Sequence, residues 1–283
     1  MTAGTARAFT LIILLVFAAP LSGGEDKYVT PEGTRGGEMV LVPTGDFKMG
    51  CNRRRDRHCD SDERPYHSVY LSAFYIDRHE VTNAEYSKCV RDLECREVRK
   101  YTDFDGPNQP VVGVSWQDAA AFCEWAGKTL PTEAQWEKAA RGGDGRVYPW
   151  GNHTCGCDCA IQEWRQEYGC GKDAPWPVGS AEKGSSPYGA LDMAGNVWEW
   201  VADWYGPRYY RDPPDKDPKG PETGEHKVKR GGGYANIRNY LRTSDRSKAL
   251  PASVSKSTGF RCALKAPEKE KKDKGKESGK EKD

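Results

Sequence analysis

Apolar positions along the chain follow different patterns in its two halves. Met39-Val40-Leu41-Val42, Ser68-Val69-Tyr70-Leu71 and Phe74-Tyr75-Ile76 are short, β-rich runs of strand length. Three helix starts follow. Thr82-Asn83-Ala84-Glu85 opens a helix toward Arg91. Ser115-Trp116-Gln117-Asp118 opens one through Ala126, stopped by Gly127. Thr132-Glu133-Ala134-Gln135 opens one through Arg141, stopped by Gly142-Gly143. Each carries a hydroxyl at the cap and an acid or amide three residues on, able to bond back to the cap N–H. In the second helix Ala119, Phe122, Cys123 and Ala126 recur at helical spacing and are expected to face a core.

After Gly143 this periodicity stops. The chain becomes rich in Gly, Pro, Trp and Tyr. Such a half needs aromatic packing, disulfides or bound ions to hold it. The pattern predicts one α+β domain with a loop-rich half, rather than a doubly wound or barrel fold.

The ends differ from the middle. Arg7 precedes an apolar run from Ala8 to Pro20, followed by Ser22, Gly23 and Gly24. This reads as a signal peptide over residues 1–24 that leaves no stable membrane span after cleavage. Residues 25–36 are polar and read as a linker. Residues 37–264 form the domain. The remainder, 265–283, holds 8 Lys and 6 acidic residues with no aromatic or β-branched side chain, and reads as a disordered charged tail. Export places the chain outside the cytoplasm: secreted, periplasmic or in the cell envelope.

The net charge of +1 offers no basic excess for phosphate neutralisation, so nucleic acid is not an expected partner. A mean hydropathy of −0.84 excludes a polytopic membrane protein. The 10 cysteines are an even set, and in an exported chain they are expected in disulfides. Cys51 with Cys59 and Cys89 with Cys95 are local pairs by spacing. Cys155, Cys157, Cys159 and Cys170 permit three pairings. The Cys155-Gly156-Cys157-Asp158-Cys159 run also has the spacing of an extended thiolate site for Cu(I) or Zn²⁺, which an oxidising compartment disfavours.

Seven motifs occur in order: Glu80–Tyr86 (EVTNAEY), Pro110–Trp116 (PVVGVSW), Leu130–Glu137 (LPTEAQWE), Tyr148–Asn152 (YPWGN), Gly195–Trp200 (GNVWEW), Lys229–Gly233 (KRGGG) and Gly259–Cys262 (GFRC). Together they resemble the formylglycine-generating enzyme, or sulfatase-modifying factor, family. The resemblance covers roughly residues 37–264 and implies a variant C-type-lectin-like fold, low in regular secondary structure. It implies a disulfide between Cys123 and Cys262, whose family counterparts pair.

The family's oxidases convert a cysteine in a peptide to formylglycine, using oxygen and Cu(I) held by two thiolates. Here those two positions fall on Asn236 and Leu241, and the family's groove serine falls on Gly233. The resemblance leaves Trp198, Gly233, Tyr234, Arg238 and Tyr240 as groove residues, without a catalytic pair and without copper as an expected cofactor. Core packing is the alternative role for the aromatic members. It also implies a Ca²⁺ site in which Asp192 and Glu199 give carboxylates, and Gly195 and Val197 give carbonyls.

The histidines offer little: His67 and His79-Glu80 form the single nearby set, without a His-x-Asp/Glu motif. The expected function is an exported domain that binds a peptide or small-molecule ligand, or serves as an envelope accessory module. The alternative is a copper- or iron-dependent oxidase of a protein or thiol substrate.

Overall fold

A computed structural model describes residues 28–267. The proposed signal peptide, and the charged tail beyond Pro267, lie outside the described residues. In chain order the strands are β1 (Tyr28–Val29), β2 (Met39–Val42), β3 (Gly45–Met49), β4 (His67–Leu71) and β5 (Phe74–Asp77). The helices α1 (Asn83–Arg91), α2 (Trp116–Trp125) and α3 (Glu133–Arg141) follow. The chain then forms β6 (Trp198–Trp204), β7 (Lys227–Arg230), β8 (Ser247–Ala249), β9 (Thr258–Phe260) and β10 (Ala263–Lys265). The mixed α+β character expected from the pattern is present.

The three helices begin where the capping signals place them. Thr82, Ser115 and Thr132 each accept a bond from the backbone three residues on. In return, the side-chain oxygens of Glu85, Asp118 and Gln135 each accept from the cap N–H. Ala119, Phe122, Cys123 and Ala126 are all buried. Between α3 and β6 the described chain holds short 3-10 turns at Tyr168–Gly171 and Glu182–Gly184 and isolated bridges between Tyr148 and Gly151 and between Trp164 and Glu167, with no longer element.

The strands form sheets ordered β1-β2-β5-β10, β3-β4 and β8-β7-β6-β9. Tyr28 and Val29 fall inside the segment read as a linker, yet they pair with Val40 and Met39 and extend the first sheet. Arg35 reinforces that segment by donating to the Trp125 carbonyl at 2.7 Å. The first and last described strands thus belong to one sheet, at its opposite edges, because β10 pairs with β5.

β6 lies between antiparallel β7 and parallel β9. Its first four residues, Trp198–Val201, are all buried, as for a strand covered on both faces. One core lies between the first two sheets and α3, around Phe47, Phe74 and Trp136. A second surrounds α1 and α2, where Phe122 meets Phe260 edge-on and Cys123 bonds Cys262.

Five disulfides take up all ten cysteines. Cys51–Cys59, Cys89–Cys95 and Cys123–Cys262 are the expected pairs. The unresolved four pair as Cys155–Cys159 and Cys157–Cys170, which ties the loop-rich half together. The chain has no free cysteine.

Candidate functional site

β7 runs into Gly231-Gly232-Gly233, and the chain then turns sharply back toward a 3-10 turn at Arg238–Leu241. Asn236 makes that turn. Its side-chain oxygen accepts from the Gly233 backbone N–H at 3.0 Å and from the Trp198 indole N–H at 2.9 Å. Its backbone N–H donates to the Gly233 carbonyl at 2.9 Å, and its carbonyl accepts from Glu163. The carboxamide therefore closes the turn and fixes the indole of β6. Leu241 is fully buried in a small apolar cluster with Tyr148, Ala160 and Ala194.

The five expected groove residues do not converge. Trp198 and Gly233 are adjacent: a Cβ on Gly233 would lie 3.4 Å from the indole Cδ1. Tyr234 turns inward, buried edge-on against Phe104. Arg238 points elsewhere, donating to the Tyr148 hydroxyl at 2.9 Å and to Thr154 Oγ1 at 2.6 Å. Tyr240 is 48 % exposed. Packing is thus the visible role of Tyr234, while Arg238 and Tyr240 remain near the surface.

The loop from Asp192 to Glu199 builds a second polar centre. Gly195 sits at φ +85°, and a Cβ there would come within 2.4 Å of the Ile161 carbonyl, so only glycine allows the close approach. Asp192 and Asn196 both take positive φ. Asp192 Oδ2 accepts from the Gly179 N–H at 2.6 Å. Glu199, inside β6, holds Arg261 through both oxygens at 2.7 Å and also accepts from the Trp136 indole at 2.8 Å.

Glu80, which the sequence grouped only with His67 and His79, adjoins this centre. It is fully buried; Asn196 Nδ2 lies 3.4 Å from its Oε2, and its Oε1 has no hydrogen-bond partner. Burial pushes the carboxyls of Glu80, Asp192 and Glu199 above their ordinary range, Glu80 furthest; repulsion from Asp192 and Glu199 adds to this at Glu80, and repulsion from Asp192 adds to it at Glu199. Three buried carboxylates face one buried guanidinium, Arg261. The sequence signal for Glu80 was its place in the Glu80–Tyr86 motif. Its partners lie more than a hundred residues away, which no local pattern reveals.

The histidine set does not form. His67 packs at a tilt against Tyr210 and His79 adjoins Gly37. Among the described residues no group of three potential metal ligands includes a histidine.

Residues 26–266 match the family model for the sulfatase-modifying factor enzyme 1-like domain. The chain belongs to the sulfatase-modifying factor family. It is 36 % identical to the formylglycine-generating enzyme of Streptomyces coelicolor, over 82 % of this chain and 90 % of that protein. It is 33 % identical to the formylglycine-generating enzyme of Bos taurus, over 80 % of this chain and 74 % of that protein. Among solved structures, PvdO from Pseudomonas aeruginosa superposes with a TM-score of 0.71 at 26 % identity, covering 84 % of this chain and all of that one (100 %). Treponema denticola variable protein 1 shares the fold, with a TM-score of 0.64 at 22 % identity over 81 % of this chain and 95 % of that one. These likenesses agree with the variant C-type-lectin-like fold.

At the two positions that the family resemblance assigns to copper thiolates, the donor set does not fit Cu(I). Asn236 offers a carboxamide already holding two N–H groups, and Leu241 offers hydrocarbon. The soft sulfur ligands that Cu(I) prefers are all bound to one another elsewhere in this family member. Asp192 and Glu80 offer carboxyl oxygens, the donor type that a hard cation takes, but among the described residues Glu80, Asp192 and Glu199 do not form a group whose ligand atoms all lie close enough to share an ion. Glu80 Oε1, buried without a partner, is the atom that such an ion would satisfy.

Proposed function

We propose that this chain is an exported, non-oxidising member of the sulfatase-modifying factor family, whose domain binds a peptide or another ligand. The observation that carries the reading is the bond from the Trp198 indole to Asn236, together with the burial of Leu241. Both positions are committed to holding the turn. Rearranging them toward a metal would cost the turn its closing bond and open an apolar cluster. Five disulfides support an oxidising compartment, and the apolar run after Arg7 supports export.

A bound Ca²⁺ belongs to this proposal. Asp192, the carbonyls of Gly195 and Val197, and Glu199 are the donors that the resemblance names, with Glu80 adjoining. A divalent ion would supply the positive charge that three buried carboxylates and one guanidinium lack, holding the loop that precedes β6.

The decisive experiment incubates the purified, disulfide-intact protein with Cu(I), oxygen and a Cys-x-Pro-x-Arg peptide, and follows the thiol by mass spectrometry. The peptide is expected to keep its thiol mass. Conversion that persists in Asn236→Ala and Leu241→Ala proteins would establish an oxidase using other ligands and end the proposal.

A further inference from the structure

The segment Asn52–His58 reads Asn-Arg-Arg-Arg-Asp-Arg-His and is closed at its base by Cys51–Cys59. Its one acid, Asp56, turns inward and meets Arg242 at 3.1 Å. Arg53, Arg54, Arg55 and Arg57 stay exposed. The loop is therefore sorted by charge: Asp56, which also lines the adjoining cleft, is paired with Arg242, and the guanidinium groups are left outside.

This loop forms one wall of a cleft of about 410 Å³, lined among others by Arg55, Arg57, His58, Tyr148, Arg238 and Asn239. The opposite wall is the 3-10 turn that begins at Arg238. Three lining groups are held in place. Arg55 donates to the Asp144 carbonyl at 2.6 Å. Arg238 is anchored by Tyr148 and Thr154, with its guanidinium over the Tyr148 ring. His58 Nδ1 lies 3.4 Å from Asn239 Nδ2. Among the described residues neither Arg55, Arg57 nor Arg238 forms an ion pair.

We infer that this cleft is a docking site for an acidic peptide segment, whose carboxylates pair with Arg55, Arg57 and Arg238. Guanidinium forks pair carboxylates through two parallel N–H···O bonds. Tyr148 is buried, stacked on Trp150 at 5.0 Å and covered by the Arg238 guanidinium, so it fixes the position of that charge on the cleft wall. Arg is among the side chains that anchor protein surfaces most strongly. Asn152 and Asn239 add carboxamides that can meet a peptide backbone. A free inorganic anion would use the charges at one point and leave the length of the cleft and its carboxamides without a role. The disulfide lowers the entropy lost when the loop engages a ligand.

The inference names a ligand class for the binding reading above and rests on it. The two fail separately: thiol conversion would defeat the non-oxidising reading, while the binding data below decide the cleft.

The test titrates the disulfide-intact full chain with pentaglutamate, pentaglutamine and inorganic phosphate by isothermal calorimetry. Pentaglutamate is expected to bind, with affinity falling steeply as salt rises, and pentaglutamine is expected not to bind. Arg55→Gln and Arg57→Gln are each expected to weaken pentaglutamate binding by about tenfold, the usual scale of one lost charge-assisted bond. Lys219→Gln, in a different cleft, is expected to leave affinity unchanged. Circular dichroism melts show that each variant is folded. Equal binding of pentaglutamine, equal binding of phosphate, unchanged affinity in folded Arg55→Gln and Arg57→Gln, or equal weakening by Lys219→Gln would each overturn the inference.

Discussion

The indole N–H of Trp198 donates to the side-chain oxygen of Asn236 at 2.9 Å, and the same oxygen receives the Gly233 N–H at 3.0 Å. One carboxamide thus joins the start of β6 to the turn after β7. Asn236→Ala removes both acceptor contacts and leaves a part-buried indole N–H without a partner. The expected loss is about 1–3 kcal/mol of folding stability, read by urea denaturation with disulfides intact. An unchanged midpoint would mean that the bond does not hold the turn.

Arg261 and Glu199 are both fully buried and joined by two bonds at 2.7 Å. Removing one partner leaves the other charge stranded in a low-dielectric interior. Arg261→Met is expected to cost about 3–5 kcal/mol. Because Arg261 also donates to the Leu191 carbonyl at 2.9 Å, the loop carrying Asp192 should lose order in the same variant. Amide hydrogen exchange over residues 190–197 measures that loss; protection equal to the parent protein would contradict it.

Glu80 Oε1, buried without a partner beside Asp192, frames the calcium prediction. Adding Ca²⁺ to chelator-treated protein is expected to raise the melting temperature, with saturation at a fixed stoichiometry. Asp192→Ala should abolish the rise. If Ca²⁺ leaves the parent protein's melting temperature unchanged, protons rather than an ion balance the carboxylates.

Asp203 is buried beside Glu133, accepting its backbone N–H at 2.7 Å. Burial first, and the charge of Glu133 second, push the Asp203 carboxyl up from 3.8 to about 7. The sign follows from proton counting. Below pH 3.8 both states hold the proton; between 3.8 and about 7 the unfolded chain releases it while the folded chain keeps it. Folding stability therefore falls as pH rises through that window. Asp203→Asn keeps an acceptor for the Glu133 N–H and does not ionise. It is expected to exceed the parent protein at pH 8 by up to about 4 kcal/mol, the gap narrowing toward pH 4. Parallel pH profiles for the two proteins would refute the assignment.

Cys123 and Cys262 lie 139 residues apart in sequence and link α2 to the segment before β10. Cys89–Cys95 spans only 6. Chain entropy assigns the long closure about 4–5 kcal/mol and the short one clearly less. Replacing both members of each pair by serine and comparing denaturation midpoints tests this ordering. A reversed order would place the contribution in local packing around α1 instead.

Local features determined much of this protein. The three helix starts were legible because a cap needs only residues three apart, and α1, α2 and α3 begin at those signals. The strand runs near residues 40, 70 and 75 were legible from composition, and the loop-rich half from its loss of period. The absence of cysteine at positions 236 and 241 could be read directly from the chain. What local pattern did not carry was the pairing of distant charges. Glu137 meets Arg230 across 93 residues, and Glu63 meets Arg242 across 179, both inside the fold. Sequence shows such residues as ordinary surface ions, because burial is a property of the assembled layers. The same reason hid Glu80 and the linker strand Tyr28–Val29, which exists only because β2 offers it an edge. The sequence by itself settled the family scaffold and the missing thiols. Tertiary structure decided what replaced them: a carboxamide that locks an indole, and a leucine sealed in a core.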